Sequence, residues 1–118
     1  RDLEAKVRRA MEFRGARYIH VLVPCPLGWG HGSAETIKMA RLAQETALFP
    51  VFEAEHGEVK NVSKLRRQLP VEDYLKPQSR FAHLFKPPGH ADLIARIQAL
   101  ADRNVQRFGL VDAAEDAQ

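Results

Sequence analysis

The sequence contains a single cysteine among its 118 residues, and it has no long apolar run. A lone cysteine excludes an internal disulfide and fits a reducing compartment, so we expect a cytoplasmic protein. No stretch approaches the roughly 20 consecutive apolar residues of a membrane span, and no segment has the pattern of a secretory signal. We therefore expect no association with a membrane.

A strong excess of charge of one sign is also missing, since the net charge is only +3. Basic residues are scattered apart from one cluster, Lys64-Leu-Arg-Arg67, so the sequence gives no reason to expect a nucleic-acid surface. The length allows one modest domain and not two independent cores. Because the chain starts at Arg1 within a helical pattern and has no initial Met, we expect it to be part of a longer polypeptide.

The most informative stretch runs from His20 to Ser33. An apolar segment, 17–23, ends in Pro24-Cys-Pro26, and a glycine-rich loop then leads into a helical pattern. A continuous apolar run closed by Pro and Gly predicts a buried strand, most simply a parallel one covered on both faces. In open α/β sheets, ligands bind beyond the carboxyl ends of such strands, which is where Cys25 lies.

The remaining pattern predicts helices on both sides of this strand. Residues 2–14 carry an apolar stripe at helical spacing, and residues 33–47 form a second helix with Ser33 as its N-cap. Two short β-type segments, 51–55 and 58–62, flank His56-Gly57, which predicts a hairpin at the protein's edge. The fold class is therefore α/β.

The sequence changes character after residue 62. Prolines separate two short helical pieces, 71–76 and 78–85, and we expect this arm to pack on a partner instead of forming its own core. A long amphipathic helix follows over 91–108 and ends at Gly109. The acidic tail, 113–118, is expected to fray.

From the residues alone, Cys25 has three interpretations. It is a small buried apolar residue, or a nucleophile activated by His20, His31 or His56, or a ligand of a metal cluster. No spacing selects one of the three histidines as a base. A cluster would need further thiolates from sequence outside this chain, because Cys25 is its only cysteine.

The glycine-rich run from Gly28 to Gly32 matches neither common phosphate-binding motif. It lacks the Lys-Ser/Thr pair of a P-loop, and its glycine spacing differs from the dinucleotide fingerprint. The simpler interpretation is a tight turn with Trp29 packed as a plug.

The same stretch carries a resemblance to a known family. Its Pro-Cys-Pro-Leu-Gly-Trp segment resembles the Pro-Cys-Pro-Thr-Gly-Trp signature in β subunits of 2-oxoacid:ferredoxin oxidoreductases, those of the pyruvate synthase type in particular. The likeness continues, in order, through four further blocks: 40–46, 49–53, 70–75 and 78–81. It covers most of the chain and points to the C-terminal part of that subunit.

This resemblance implies an enzyme that oxidatively decarboxylates a 2-oxoacid to an acyl-coenzyme A and passes electrons through iron–sulfur clusters to ferredoxin. It implies thiamine diphosphate with Mg²⁺, bound mostly by sequence outside this chain, and a 4Fe–4S cluster to which Cys25 supplies one thiolate. No catalytic residue is expected within the chain itself. The implied partners are the other subunits of the complex, ferredoxin, the 2-oxoacid and coenzyme A.

With this resemblance, residues 1–62 correspond to the end of a thiamine-diphosphate-binding α/β domain, and residues 63–118 to a helical arm between subunits. Two positions depart from the family pattern: Leu27 replaces a Thr, and Ala47 replaces the Gly that follows the Glu-Thr pair. A different interpretation is a non-catalytic α/β module that serves subunit assembly.

Overall fold

The fold was obtained as a computed structural model that describes residues 2–112. The expectation for the tail, 113–118, lies outside these residues. The helices are α1 (Asp2–Glu12), α2 (Pro26–Trp29), α3 (Thr36–Glu45), α4 (Val71–Leu75) and α5 (Ala91–Phe108), and 3-10 turns cover Ser33–Glu35 and Ser79–Leu84. Strands β1 (Glu53–Glu55) and β2 (Glu58–Lys60) pair with each other. No helix between residues 2 and 112 is long and apolar enough to cross a membrane.

The core lies between α3, α4 and α5. Its eleven buried apolar residues come from these helices and the segments that join them: Met39, Leu42, Ala43, Ala47, Leu65, Val71, Tyr74, Leu75, Leu84, Ala101 and Leu110. Helix α5 has the bounds predicted from its apolar stripe, and Gly109 ends it in the left-handed conformation at φ 55°. One apolar stripe of this helix therefore packs against the core that the second half of the chain shares.

Hydrogen bonds between distant segments close this core. The Leu65 N–H donates to the Leu110 carbonyl at 2.7 Å, and the Leu69 N–H donates to the Glu45 carbonyl at 2.9 Å. Helix α4 begins directly after Pro70, and the N–H of Val71 donates to the Gln98 side chain of α5 at 3.0 Å. Backbone groups at the element ends are thus satisfied by neighbouring elements of the same core.

The arm expected to pack on a partner is part of this core. Leu65, Tyr74, Leu75 and Leu84 are buried, and Phe81 packs against them while partly exposed. Long-range contacts with α3 and α5 bury these residues, which show no helical periodicity of their own. Docking of the arm on a partner stays a prediction. Core residues lie on both sides of position 62, and the division of the chain there stays a prediction.

The predicted hairpin is confirmed, with shorter strands. Glu53 pairs with Lys60, Ala54 with Val59 and Glu55 with Glu58. His56 and Gly57 both have positive φ, 52° and 85°, as the central residues of a type I′ turn require.

The predicted helix over 33–47 is present but begins and ends differently. Ser33 opens a 3-10 turn and does not cap a helix with its hydroxyl; instead, the Thr36 hydroxyl donates to the Ser33 carbonyl at 2.8 Å. At the other end Ala47 is fully buried at φ 59°. A non-glycine residue thus occupies the left-handed position where the family pattern has Gly, at a steric cost of about 1–2 kcal/mol.

The predicted buried strand over 17–23 is not formed. These residues belong to no helix or strand, and residues 14–24 make no backbone–backbone hydrogen bond within the described part of the chain. The only paired strands between residues 2 and 112 are β1 and β2. The prediction failed because a strand needs a hydrogen-bonded neighbour, and no described segment pairs with this one.

From Val21 to Pro24 the side chains nevertheless alternate as in a strand. Leu22 packs against the core and Pro24 is buried, whereas Ile19, Val21 and Val23 are exposed. Such alternation with period two gives a strand two distinct faces. Here one face touches the chain's own core, and the other is apolar and uncovered.

Helix α1 has the predicted position, ending at Glu12 instead of residue 14, but it does not pack beside the 17–23 segment. None of its residues is buried, and its stripe of Leu3, Val7 and Met11 is exposed. The radius of gyration is 16.3 Å, whereas a compact domain of this length has a value of about 13 Å. The first part of the chain therefore lies largely outside the core.

Candidate functional site

Cys25 occupies the N-cap of α2. Its backbone is extended, and the Gly28 N–H donates to its Sγ at 3.4 Å. The side chain is exposed, so the thiol is not the buried apolar residue that one interpretation suggested. Prolines on both sides restrict the backbone at this point, which fixes the direction of the side chain.

A short helical turn closes the loop behind the sulfur. The Trp29 N–H donates to the Cys25 carbonyl at 2.9 Å, and the Gly30 and His31 N–H groups both donate to the Pro26 carbonyl, at 2.9 and 3.2 Å. Gly30 takes a left-handed conformation, φ 71°, that ends the turn.

The loop is attached to the core through the 3-10 turn at 79–84. The Ser79 N–H donates to the Gly30 carbonyl at 2.9 Å. A Cβ added at Gly30 would lie 1.6 Å from the Ser79 Oγ and 2.8 Å from its Cβ. Two segments that are distant in the sequence therefore meet here with no room for a side chain.

Arg80 forms the second attachment. Its guanidinium carbon lies 4.0 Å from the centre of the Trp29 ring and 4.6 Å from that of Phe81. Its Nε donates to the Gln78 Oε1 at 2.8 Å, and its Nη2 donates to the Tyr74 hydroxyl at 3.1 Å. Trp29 therefore packs as the plug that the sequence suggested, with a cation against its ring.

None of the three histidines considered as a base for Cys25 hydrogen-bonds its thiol. The His20 ring packs edge-on against Phe49, with centroids 5.2 Å apart, and His56 lies at the hairpin turn. His31 is buried, with its Nδ1 2.9 Å from the Gly32 carbonyl oxygen and its Nε2 without a partner among residues 2–112. None of the three hydrogen-bonds the thiol, so the structure contains no cysteine–histidine pair of a hydrolase within the described residues.

The site fits one ligand position of a thiolate-bound cluster. Among residues 2–112 no three His, Cys, Asp or Glu side chains lie together as a metal site would need. An exposed cysteine sulfur that accepts a backbone N–H is the donor that iron–sulfur clusters use, and such hydrogen bonds tune their potential. Cys25 could hold such a group only together with thiolates from outside the described chain.

Arg80 and Ser79 were not predicted as partners of the Cys25 loop. Local pattern gives no reason to connect residues 50 positions apart. The signal that was available is their place in the 78–81 block, one of those that carry the family resemblance. Because residues 78–81 and the Cys25 loop resemble the same family, they could belong to one site, but the resemblance does not show that they are in contact.

No family model matches this chain. Full-length relatives do: the chain is 46% identical over 110 residues to pyruvate synthase subunit PorB of Methanosarcina barkeri, covering 93% of the chain and 37% of that protein. It is 39% identical over 109 residues to PorB of Methanocaldococcus jannaschii, covering 92% of the chain and 35% of that protein. Ketoisovalerate oxidoreductase subunit VorB of Pyrococcus abyssi is 39% identical over 87 residues, covering 72% of the chain and 28% of that protein.

These matches confirm the resemblance that the Cys25 loop carries. The chain spans about a third of the length of the PorB relatives it matches. Identities of 39–46% over more than nine-tenths of the chain show that it is similar to one continuous part of the PorB subunits.

Proposed function

We propose that this chain is the C-terminal part of the β subunit of a 2-oxoacid:ferredoxin oxidoreductase, and that Cys25 is one of four thiolate ligands of a 4Fe–4S cluster. The observation that carries the assignment is the placement of Cys25. The only cysteine of the chain is exposed at the start of α2, and its sulfur accepts the Gly28 N–H at 3.4 Å.

The loop suits this role for physical reasons. Backbone N–H groups close to a cluster sulfur lower its effective negative charge, and a short glycine-containing turn brings them there without a side chain in the way. The cluster would carry single electrons towards ferredoxin, while thiamine diphosphate with Mg²⁺ would supply the decarboxylation chemistry. The work of this chain would be to hold one thiolate in place and to keep its surroundings ordered.

The uncovered apolar surfaces support a place within a larger protein. Ile19, Val21 and Val23 form one exposed face of a segment whose backbone groups are unpaired within residues 2–112. We infer that neighbouring strands of the thiamine-diphosphate-binding domain pair with this segment in the assembled enzyme. Both edges of such a strand would then be satisfied, as in an interior parallel strand.

A second candidate function is a module that serves subunit assembly without chemistry. The exposed stripe of α1 favours it, since apolar surface of this kind marks protein–protein contacts. The two candidates make different predictions for one side chain. Assembly does not need the Cys25 sulfur, whereas cluster ligation does.

The test replaces Cys25 by Ala in the assembled enzyme. The expected result is loss or disorder of one cluster in electron paramagnetic resonance spectra and in the iron count, with loss of 2-oxoacid-dependent ferredoxin reduction. Thiamine diphosphate content should be retained. Leu27→Thr is the matched control, because Leu27 is 97% exposed two residues away and Thr is the usual family residue.

A Cys25→Ala enzyme with its full iron content and normal ferredoxin reduction would overturn the ligand assignment. The thiol would then have a structural role, and the second candidate function, subunit assembly, would be favoured.

A further inference from the structure

The environment of Arg80 differs from that of the other arginines in the described chain. Its guanidinium lies against two aromatic rings, those of Trp29 and Phe81, and it donates to Gln78 and Tyr74. Gln78 is fully buried, and its amide also donates to the Tyr74 carbonyl. The core thus determines where the guanidinium lies, although the side chain is at the surface.

The charge of this guanidinium is not compensated nearby. No carboxylate between residues 2 and 112 forms an ion pair with Arg80, whereas Arg8 and Arg9 each have a glutamate partner. An arginine remains protonated at every physiological pH. The site therefore holds a permanent positive charge against the face of Trp29.

Trp29 connects this charge to Cys25. The two residues lie one helical turn apart, about 6 Å along the axis of α2. The hydrogen bond from the Trp29 N–H to the Cys25 carbonyl joins them directly. The indole ring that Arg80 contacts therefore belongs to the same short turn that begins at Cys25.

We propose that Arg80 is a positioning residue of the cluster site: it fixes Trp29, and through it the Cys25 loop, and it raises the reduction potential of the cluster bound there. This inference rests on the proposed function. The physical reason is that electron uptake adds negative charge to a cluster, and a cation fixed against the turn that carries the ligand residue stabilises the reduced form. The planar guanidinium stacks on the indole in a way that an ammonium does not.

The test is a redox titration of the assembled enzyme, followed on the cluster signal that Cys25→Ala removes. Arg80→Gln should shift the midpoint potential of that cluster to more negative values and leave its iron content unchanged. Arg80→Lys returns the charge and should recover most of the shift. Arg103→Gln is the control, since it removes one charge from exposed α5 surface and should leave the potential unchanged.

A purely structural role for Arg80 would not produce this pattern. An unchanged potential in Arg80→Gln, or an equal shift in Arg103→Gln, would overturn the proposal. If Arg80→Gln loses the cluster, the Arg80→Lys variant distinguishes the explanations. Recovery of the cluster in Arg80→Lys supports the proposal. Loss of the cluster in both variants contradicts the role of the charge. Loss of the cluster in Cys25→Ala together with an unchanged potential in Arg80→Gln would refute this inference and leave the proposed function intact.

Discussion

Two regions of this chain contain apolar residues of similar kind and in similar proportion, but they are largely buried in one region and largely exposed in the other. Between α3 and Leu110, the apolar side chains of three helices and their connections form one core. In the first 24 residues, the stripe of α1 and one face of the 17–23 segment are exposed. Met39 is 0% exposed and Met11 is 67% exposed, although each occupies a helical position.

The difference shows what an apolar pattern specifies. A pattern with a helical or strand period marks a face that avoids water, but it does not say which surface will cover it. In the second half of the chain, the apolar faces of the helices pack against one another. The first half does not, and the length of the PorB relatives indicates where covering surfaces are to be sought.

Amide hydrogen exchange should show the largest contrast between the two regions. Residues 17–23 have no backbone hydrogen bonds within the described chain, so their amides should exchange at nearly unprotected rates. Amides of α3 and α4 should be slower by about a thousandfold or more, since they open only with the core. If neighbouring strands pair with residues 17–23 as proposed, these amides should become protected in the longer protein. Equal protection of both regions in the isolated chain would contradict the comparison.

The two methionines give a matched pair for equilibrium stability. Met39→Ala should lower the free energy of unfolding by about 2–5 kcal/mol, because it leaves a cavity in the core. Met11→Ala should change it by less than about 0.5 kcal/mol, since the side chain is exposed on α1. Urea unfolding followed by far-UV circular dichroism measures both. A cost for Met11→Ala comparable to that of Met39→Ala would mean that α1 is buried in solution.

Two glycines test how firmly the Cys25 loop is joined to the core. Gly30→Ala should lower the free energy of unfolding by about 2–4 kcal/mol. The new Cβ would be strained by the left-handed backbone and would also collide with Ser79. Gly57→Ala has positive φ as well but meets no atom within 4 Å, so it should cost about 1 kcal/mol. The same unfolding measurement compares them. Equal costs would show that the loop and the 3-10 turn do not pack as described.

The sequence predicted the elements whose signals are local. The helix over 91–108, its end at Gly109 and the hairpin turn at His56-Gly57 each depend on residues within a few positions of one another. The unpaired state of 17–23 could not be predicted, because a buried strand and an uncovered one have the same apolar composition. What differs is the neighbour, which lies outside the pattern.

The candidate site was predicted only in part for the same reason. Cys25 and its glycine-rich turn are contiguous in the sequence, so their proximity followed from the chain itself. Arg80 reaches Trp29 only after α4 and the 3-10 turn have folded onto the core. The burial of Leu75 and Leu84, which places those elements, depends on contacts with α3 and α5 that no local period shows.

The smallest expected effect concerns the tie between α1 and the rest of the molecule. Arg9 forms a two-pronged ion pair with Glu53 of β1, and its Nε donates to the Glu53 Oε2 at 2.8 Å. The Arg9 hydrogen bond holds the pKa of Glu53 below its ordinary value, despite partial desolvation. A depressed carboxylate pKa contributes stability at neutral pH. That contribution is lost as the pH falls below the ordinary value of 4.5 and through the lower folded-state value.

Arg9→Gln should therefore make the free energy of unfolding fall less steeply between pH 5 and 3, about the range in which free glutamate titrates. At neutral pH its effect should be small, because both side chains are solvent-accessible and exposed ion pairs contribute little to the free energy of unfolding. Arg14→Gln is the control, since Arg14 forms no ion pair within residues 2–112. Urea unfolding at a series of pH values compares the two variants with the parent chain. If the free energy of unfolding of Arg9→Gln depended on pH in the same way as that of the parent chain, the ion pair would not hold α1 to the hairpin in solution.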